Sequence, residues 1–170
     1  MKVSLRSACL FVLFFLFTLS PLQAAQMNYQ GQSLQLKDTA RACYMRFIKL
    51  YDIEYYASSS SNSRCIKLNY LREFTGEQLN EATQQIFADI NGEQAAQRYQ
   101  ATLDQIGQRY QPVKDGDSYQ YCVTENKRGV LSKEGEELIS LVDEEFVNQF
   151  LRIWVKREAR DSLEWNFKSC

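Results

Sequence analysis

Two strand-like runs separated by a polar connector constrain this chain more than any other feature. Residues 41–57 (RACYMRFIKLYDIEYYA) are dense in aromatic and apolar side chains, and residues 58–63 (SSSSNS) carry none. Residues 64–72 (RCIKLNYLR) then alternate, with Cys65, Lys67 and Asn69 on one side and Ile66, Leu68 and Tyr70 on the other. A period of two belongs to a half-buried strand, and a short polar link between two such runs predicts an antiparallel hairpin. The chain is therefore expected to build around a sheet with one wet and one buried face.

The flanking sequence fills in an α+β order. Tyr29, Leu34 and Leu36 around Gly31 fit a short strand, or a turn and strand, at a sheet edge. Thr75-Gly76-Glu77-Gln78 has the spacing of a capping box, so a helix should start there and stop at Asn91-Gly92, with Leu79, Ala82, Ile86 and Ile90 as its apolar stripe. Ala96, Tyr99, Leu103, Ile106 and Tyr110 predict a second helix before Pro112. Residues 118–123 and 128–132 read as short antiparallel strands around Asn126-Lys127. Phe146, Phe150, Ile153 and Trp154 mark a helix from Asp143 to Val155, and 162–167 a last helical turn or two. Mixed order without βαβ alternation implies an antiparallel sheet covered by helices.

Composition excludes several function classes. The 170 residues contain no histidine, which removes Ser-His-Asp and Cys-His nucleophiles and His-ligated zinc. Twenty Lys+Arg against 21 Asp+Glu, with no basic block, gives no footprint for nucleic acid. Lys2 and Arg6 precede an uncharged Leu/Phe-rich run from Ala8 to Leu19 and then Ser20-Pro21-Leu22-Gln23-Ala24-Ala25. That run, about 12 residues, falls short of the roughly 20 needed to span a bilayer, so residues 1–24 read as a cleaved export signal, leaving 25–170 as one domain with no transmembrane segment. Four cysteines remain, Cys43, Cys65, Cys122 and Cys170. An even number in an exported chain implies disulfides, with three connectivities open, and the absence of a CxxC argues against a redox motif or zinc site. Glu134, Glu136, Glu137, Asp143, Glu144 and Glu145 lack the spacing of a calcium loop and read as a solvated helix face. No metal or cofactor is expected.

Four stretches carry a resemblance: 47–57 (FIKLYDIEYYA), 68–78 (LNYLREFTGEQ), Gly116-Asp117 before a strand, and 150–155 (FLRIWV). Together they resemble the exported bacterial branch of the chalcone isomerase-like family. Relatives usually continue the last motif as Ile-Trp-Leu-Gly, where this chain has Lys156. The resemblance implies an open-faced sandwich, a long antiparallel sheet with helices layered on one face. It also implies one of two functions, ring closure of a chalcone or non-catalytic binding of a fatty acid. In the binding members an Arg and a Tyr on neighbouring strands hold a carboxylate, and Arg41 and Tyr51 match those places. A guanidinium fork and a phenol suit that task. The enzymes look to carry threonine at the Tyr51 place, a tyrosine, lysine and asparagine near Leu79, Ala82 and Ile86, and a threonine near Ile153. A one-residue shift would bring Asn80 or Thr83 to the cleft instead.

Spacing alone sets a condition on this site. On one continuous strand Arg41 and Tyr51 lie about 33 Å apart at about 3.3 Å per residue. They can share a ligand only if the chain turns near Tyr44 to Arg46, where no Gly, Pro, Asn or Asp marks a turn. Without the resemblance, Arg41 reads as a solvated strand residue and Tyr51 as a core aromatic. The expected protein is thus a periplasmic, non-catalytic binder of a fatty acid or similar apolar carboxylate. An envelope interaction or scaffolding protein is the alternative, and an isomerase or lyase using Arg41, Tyr51 and Asn80 the third.

Overall fold

The computed structural model describes residues 25–45, 47–159, 162–167 and 169–170; the expected signal segment lies outside them. Among the described residues, seven strands pair antiparallel in chain order: β1 (Gln26–Tyr29), β2 (Gln32–Tyr44), β3 (Ile48–Ala57), β4 (Arg64–Tyr70), β5 (Ser118–Val123), β6 (Gly129–Lys133) and β7 (Glu136–Leu141). Helices α1 (Gly76–Asn91), α2 (Glu93–Arg98) and α3 (Gln100–Gly107) lie between β4 and β5 in sequence, and α4 (Glu144–Leu151) follows β7. A separate hairpin, β8 (Val155–Ala159) and β9 (Ser162–Trp165), ends the chain. This is the expected α+β sandwich.

Alternation along the central strands creates the core. Ile53 and Tyr55 of β3, Ile66, Leu68 and Tyr70 of β4, and Tyr119, Tyr121 and Val123 of β5 meet the helix layer through Phe87, Leu103, Ile106, Phe146 and Phe150. Phe146 stacks on Phe87 at 5.5 Å, and Tyr121 meets Phe150 edge-on at 4.9 Å between ring centres. The Tyr121 hydroxyl donates to the Val147 carbonyl at 3.2 Å, and Gly129 lies so close that a Cβ there would sit 2.2 Å from that oxygen. Large aromatics and a missing side chain thus fit each other across the layers.

The opposite face has a smaller core of its own. β2 carries a bulge between Leu36 and Asp38, with Leu36 opposite Tyr56 and Asp38 opposite Tyr55. The extra residue reverses the alternation, so Leu34 and Leu36 join Tyr56, Cys65 and Cys122 on the outer face. Leu34 is fully buried there, and Gln32 reaches the β5–β6 turn to donate to Glu125 at 3.0 Å. The β1–β2 end therefore curls over the back of the sheet.

Thr75 and Gln78 form the expected capping box, and α1 stops at Gly92, whose φ of 89° suits glycine. Of the expected α1 stripe only Leu79 is buried; Phe87 makes the main core contact. The second helix divides at Tyr99, whose ring packs against the stacked Phe87–Phe146 pair, so packing overrides the continuous pattern. The acidic segment is not one helix face. Glu134 and Gly135, both at positive φ, turn the chain into β7, where Ile139 and Leu141 face inward and Glu136 and Glu137 are exposed. Asp143 caps α4, its carboxylate accepting from the Phe146 N–H at 3.0 Å. That helix ends at Leu151 rather than Val155, and 162–165 form a strand, because Trp154 and Val155 turn inward and Lys156 pairs with Glu164 at 2.7 Å across the hairpin.

The four cysteines form two bridges. Cys65 and Cys122 are directly opposed on β4 and β5, whereas Cys43–Cys170 ties β2 to the C-terminus. Closing a loop across 57 residues removes unfolded-state entropy equivalent to about 4 kcal/mol in the chain-entropy treatment. Replacing Cys65 and Cys122 together by alanine should lower the urea unfolding free energy by about that amount. A loss within measurement error would show that this bridge does not set stability.

Candidate ligand-binding site

The β2–β3 register decides which side chains can meet. Arg41 lies opposite Asp52 and Ala42 opposite Tyr51. Opposed residues share a face and neighbours alternate, so Arg41 projects outward and Tyr51 inward. The turn that joins these strands does fall after Tyr44, with Met45 at φ 50°. It brings Arg41 and Tyr51 near each other along the strands but leaves them on opposite sides of the sheet. Arg41 instead forks onto Asp52, with Nη2 donating to Oδ2 at 2.8 Å and Nε to Oδ1. That hydrogen bonding holds the Asp52 carboxyl below its usual range. Both side chains are more than one-third exposed, so solvent screens the pair and its contribution to stability is small.

Tyr51 lines a cavity of about 270 Å³ between the sheet and α1. Leu68, Tyr70, Leu79, Phe74, Ile153 and Trp154 supply much of its wall, while Ala82 and the exposed Ile86 form a rim on α1. The positions matched to the polar residues of the enzymes, Leu79, Ala82, Ile86 and Ile153, do converge here, and all four are apolar. Thr83 also lines the cavity. Asn80 does not, because its side chain lies against Gly107 of α3 and accepts from Gln84 at 3.0 Å.

Tyrosines gather at one part of this wall. Tyr51 and Tyr70 have ring centres 5.7 Å apart, Tyr70 and Tyr119 6.1 Å, and Tyr110 and Tyr119 5.6 Å. Tyr110 shares a 2.9 Å hydrogen bond with Thr83; Tyr119 donates to the Gln111 carbonyl at 3.1 Å. The Tyr70 hydroxyl has no hydrogen-bond partner among the described residues, so it is free to donate into the cavity. Among the described lining residues there is no Lys, Arg, Asp or Glu. The wall offers neutral donors and hydrocarbon.

Burial keeps these phenols protonated. The Tyr51 hydroxyl is pushed up to about 12 by desolvation, with a hydrogen bond to Trp154 pulling the other way. Desolvation also raises Tyr70, Tyr110 and Tyr121, and for Tyr70 the neighbouring phenols add to the shift. None is poised to act as a base or nucleophile near neutral pH.

A family model described as chalcone isomerase-like matches residues 22–164, and the chain belongs to that family. Among solved structures, a fatty-acid binding protein from Arabidopsis thaliana has the same fold, with a TM-score of 0.55 at 11% identity over 81% of this chain and 92% of that one. No curated protein matches the chain in sequence.

Tyr110 and Trp154, from the segments after α3 and α4, read from the sequence only as helix-packing residues, whereas Tyr70 of β4 belongs to an aromatic-rich strand group with Tyr51 that could stack a planar ligand. The inward alternation of Tyr70 was readable, but nothing in the sequence places Tyr110 beside it. Alkaline titration tests the cluster. An unfolded tyrosine ionises near pH 10. The folded state holds these protons more tightly, so the stabilisation is complete below pH 10 and is lost as pH rises through the folded values. Urea midpoints should fall above pH 10, and Tyr51→Phe should reduce the slope between 10 and 12. Ionisation of every tyrosine near pH 10, in a still-folded protein, would contradict the burial.

Proposed function

We propose that the protein is an exported, non-catalytic carrier or receptor that holds the alkyl chain of a medium-length fatty acid, or a similar amphiphile, in the cavity beside Tyr51. The carrying observation is an apolar cavity whose polar lining is uncharged, hydroxyls gathered around Tyr51 and Tyr70 with the amides of Gln78 and Gln120. The fatty-acid binding neighbour supports the ligand class through the shared fold. Tyrosines held protonated, and hydrocarbon at Leu79, Ala82 and Ile86, argue against the isomerase or lyase reading. The charged, apolar and small-residue order of positions 1–24, with two disulfides, supports export to an oxidising compartment such as the periplasm.

Size and charge sharpen the ligand. At about 30 Å³ per methylene-sized group, the cavity takes about nine non-hydrogen atoms. Each buried methylene contributes about 0.8 kcal/mol, close to a fourfold gain in affinity. The head group would meet Tyr51 and Tyr70 rather than Arg41, and without a cation nearby the protonated acid is favoured over the carboxylate.

Calorimetric titration with saturated acids should therefore show affinity rising about fourfold per carbon up to roughly seven carbons, which with the two carboxyl oxygens make about nine non-hydrogen atoms, then levelling. Binding of decanoic acid should tighten as pH falls toward the acid's own pKa, whereas decanol should show no such trend. Tyr51→Phe should weaken binding by a few-fold, the loss of about one hydrogen bond, and Arg41→Ala should leave it unchanged. If no acid or alcohol binds, the envelope interaction reading takes over, with the exposed Tyr44, Met45 and Phe47 at the β2–β3 turn as its first surface to probe.

A further inference from the structure

A second polar site lies on the same inner face, where β3 and β4 approach the serine connector. Arg64 and Tyr55 share that face, since Ala57 is opposite Arg64 and Ile66 opposite Tyr55. The Arg64 guanidinium donates through Nη2 to Asn148 of α4 at 2.7 Å and through Nη1 to Glu158 of β8 at 3.4 Å. Its Nε is buried without a partner among the described residues. The Tyr55 hydroxyl, on a side chain only 1% exposed, lies within reach of Glu158 and Arg64 but makes no hydrogen bond of good geometry with any described residue. Buried donors without a well-formed hydrogen bond are costly and demand an explanation.

Both side chains border a crevice of about 1420 Å³ that runs between the serine connector and the β8–β9 hairpin. Lys37, Arg64, Arg152, Lys156 and Arg157 line it against Asp38 and Glu158. The two acids do not balance the five bases, and Asp38 is engaged by the Trp165 indole at 3.1 Å. Glu164, outside the crevice lining, takes up part of the Lys156 and Arg157 charge at 2.7 and 3.7 Å. A positive excess remains.

We propose that Arg64 and Tyr55 form a seat for the carboxylate of a small polar anion, and that Glu158 is its tethered occupant. Glu158 fills the seat poorly. It reaches one guanidinium nitrogen at a long distance, leaves the buried Arg64 Nε open, engages the Tyr55 phenol only loosely, and is itself about one-third exposed at 36%. A free carboxylate can approach the guanidinium with two oxygens and accept from the phenol as well, an arrangement the strand-borne Glu158 does not attain. Tyr55 ionisation is raised first by burial and then by the nearby Glu158, consistent with a phenol kept as a donor. The polar serine walls distinguish this seat from the hydrocarbon cavity at Tyr51, and binding at one does not require the other.

The test uses the whole mature protein and succinate as probe, at constant ionic strength. Glu158→Gln removes the internal competitor and should raise succinate affinity at least fivefold over the parent, with the Arg64 Nε–H proton resonance shifting on titration. Adding Tyr55→Phe to Glu158→Gln deletes one hydroxyl and keeps the buried ring, so folding, checked by circular dichroism, should be retained, and it should weaken succinate several-fold. Adding Arg64→Gln should abolish binding. Succinamide should not bind. Equal succinate affinity in the parent and Glu158→Gln, or no effect of Tyr55→Phe, overturns the proposal. Decanol titration of the same variants reports separately on the Tyr51 cavity.

Discussion

The register between β2 and β3 is the constraint on which the remaining arrangement rests. One extra residue at the Leu36–Asp38 bulge turns the even-numbered side chains of β2 from the outer face to the inner one. Before it, Leu34 and Leu36 belong to the outer core with Cys65 and Cys122; after it, Ala40 and Ala42 oppose Ile53 and Tyr51 on the inner side. A regular strand could not serve both cores. The same register sends Arg41 out to Asp52 and leaves the inner cavity without a cation.

Much of the fold was legible because its signals are local. The alternation of 64–70, the polar connector and the Thr75 capping box each depend on neighbours within a few residues, and each appears where expected. Bulges are different. They are set by cross-strand hydrogen bonding, and no residue type at Lys37 or Leu50 announces one. A second register shift, between Ala42 and Cys43 with Leu50 as the extra residue, is why Arg41 and Tyr51 face opposite sides of the sheet although the turn between them falls where the resemblance implied. β7 was obscured by its acidic composition, which resembles a solvated helix face until Ile139 and Leu141 are read at a period of two. The C-terminal hairpin was hidden for a related reason, because Leu163 and Trp165 are too few to distinguish a strand from a helical turn.

Tyrosine shows how the candidate site escaped a residue-by-residue reading. Tyr51, Tyr55 and Tyr70 sit on adjacent strands of one face, yet their surroundings assign them different chemistry. Near Tyr51 the walls are hydrocarbon and other phenols, so burial alone fixes the protonated form. Four residues along the same strand, about 13 Å away, Tyr55 faces Arg64 and Glu158. Ile53, fully buried, lies between the two on that face.

This division has an energetic basis. Desolvating a carboxylate beside neutral hydroxyls is unfavourable, whereas a guanidinium with a second donor can compensate that loss. An inner face that held its cation within the hydrocarbon cavity would face the desolvation of Arg as well as of ligand. Placing Arg64 at the sheet end, with its stem against Tyr55 and its head toward a wet crevice, keeps the charge hydrated on one side. On the proposed reading, the neutral cavity would discriminate by chain length and the charged crevice by ionisation, two selections that one mixed pocket would be forced to trade against each other.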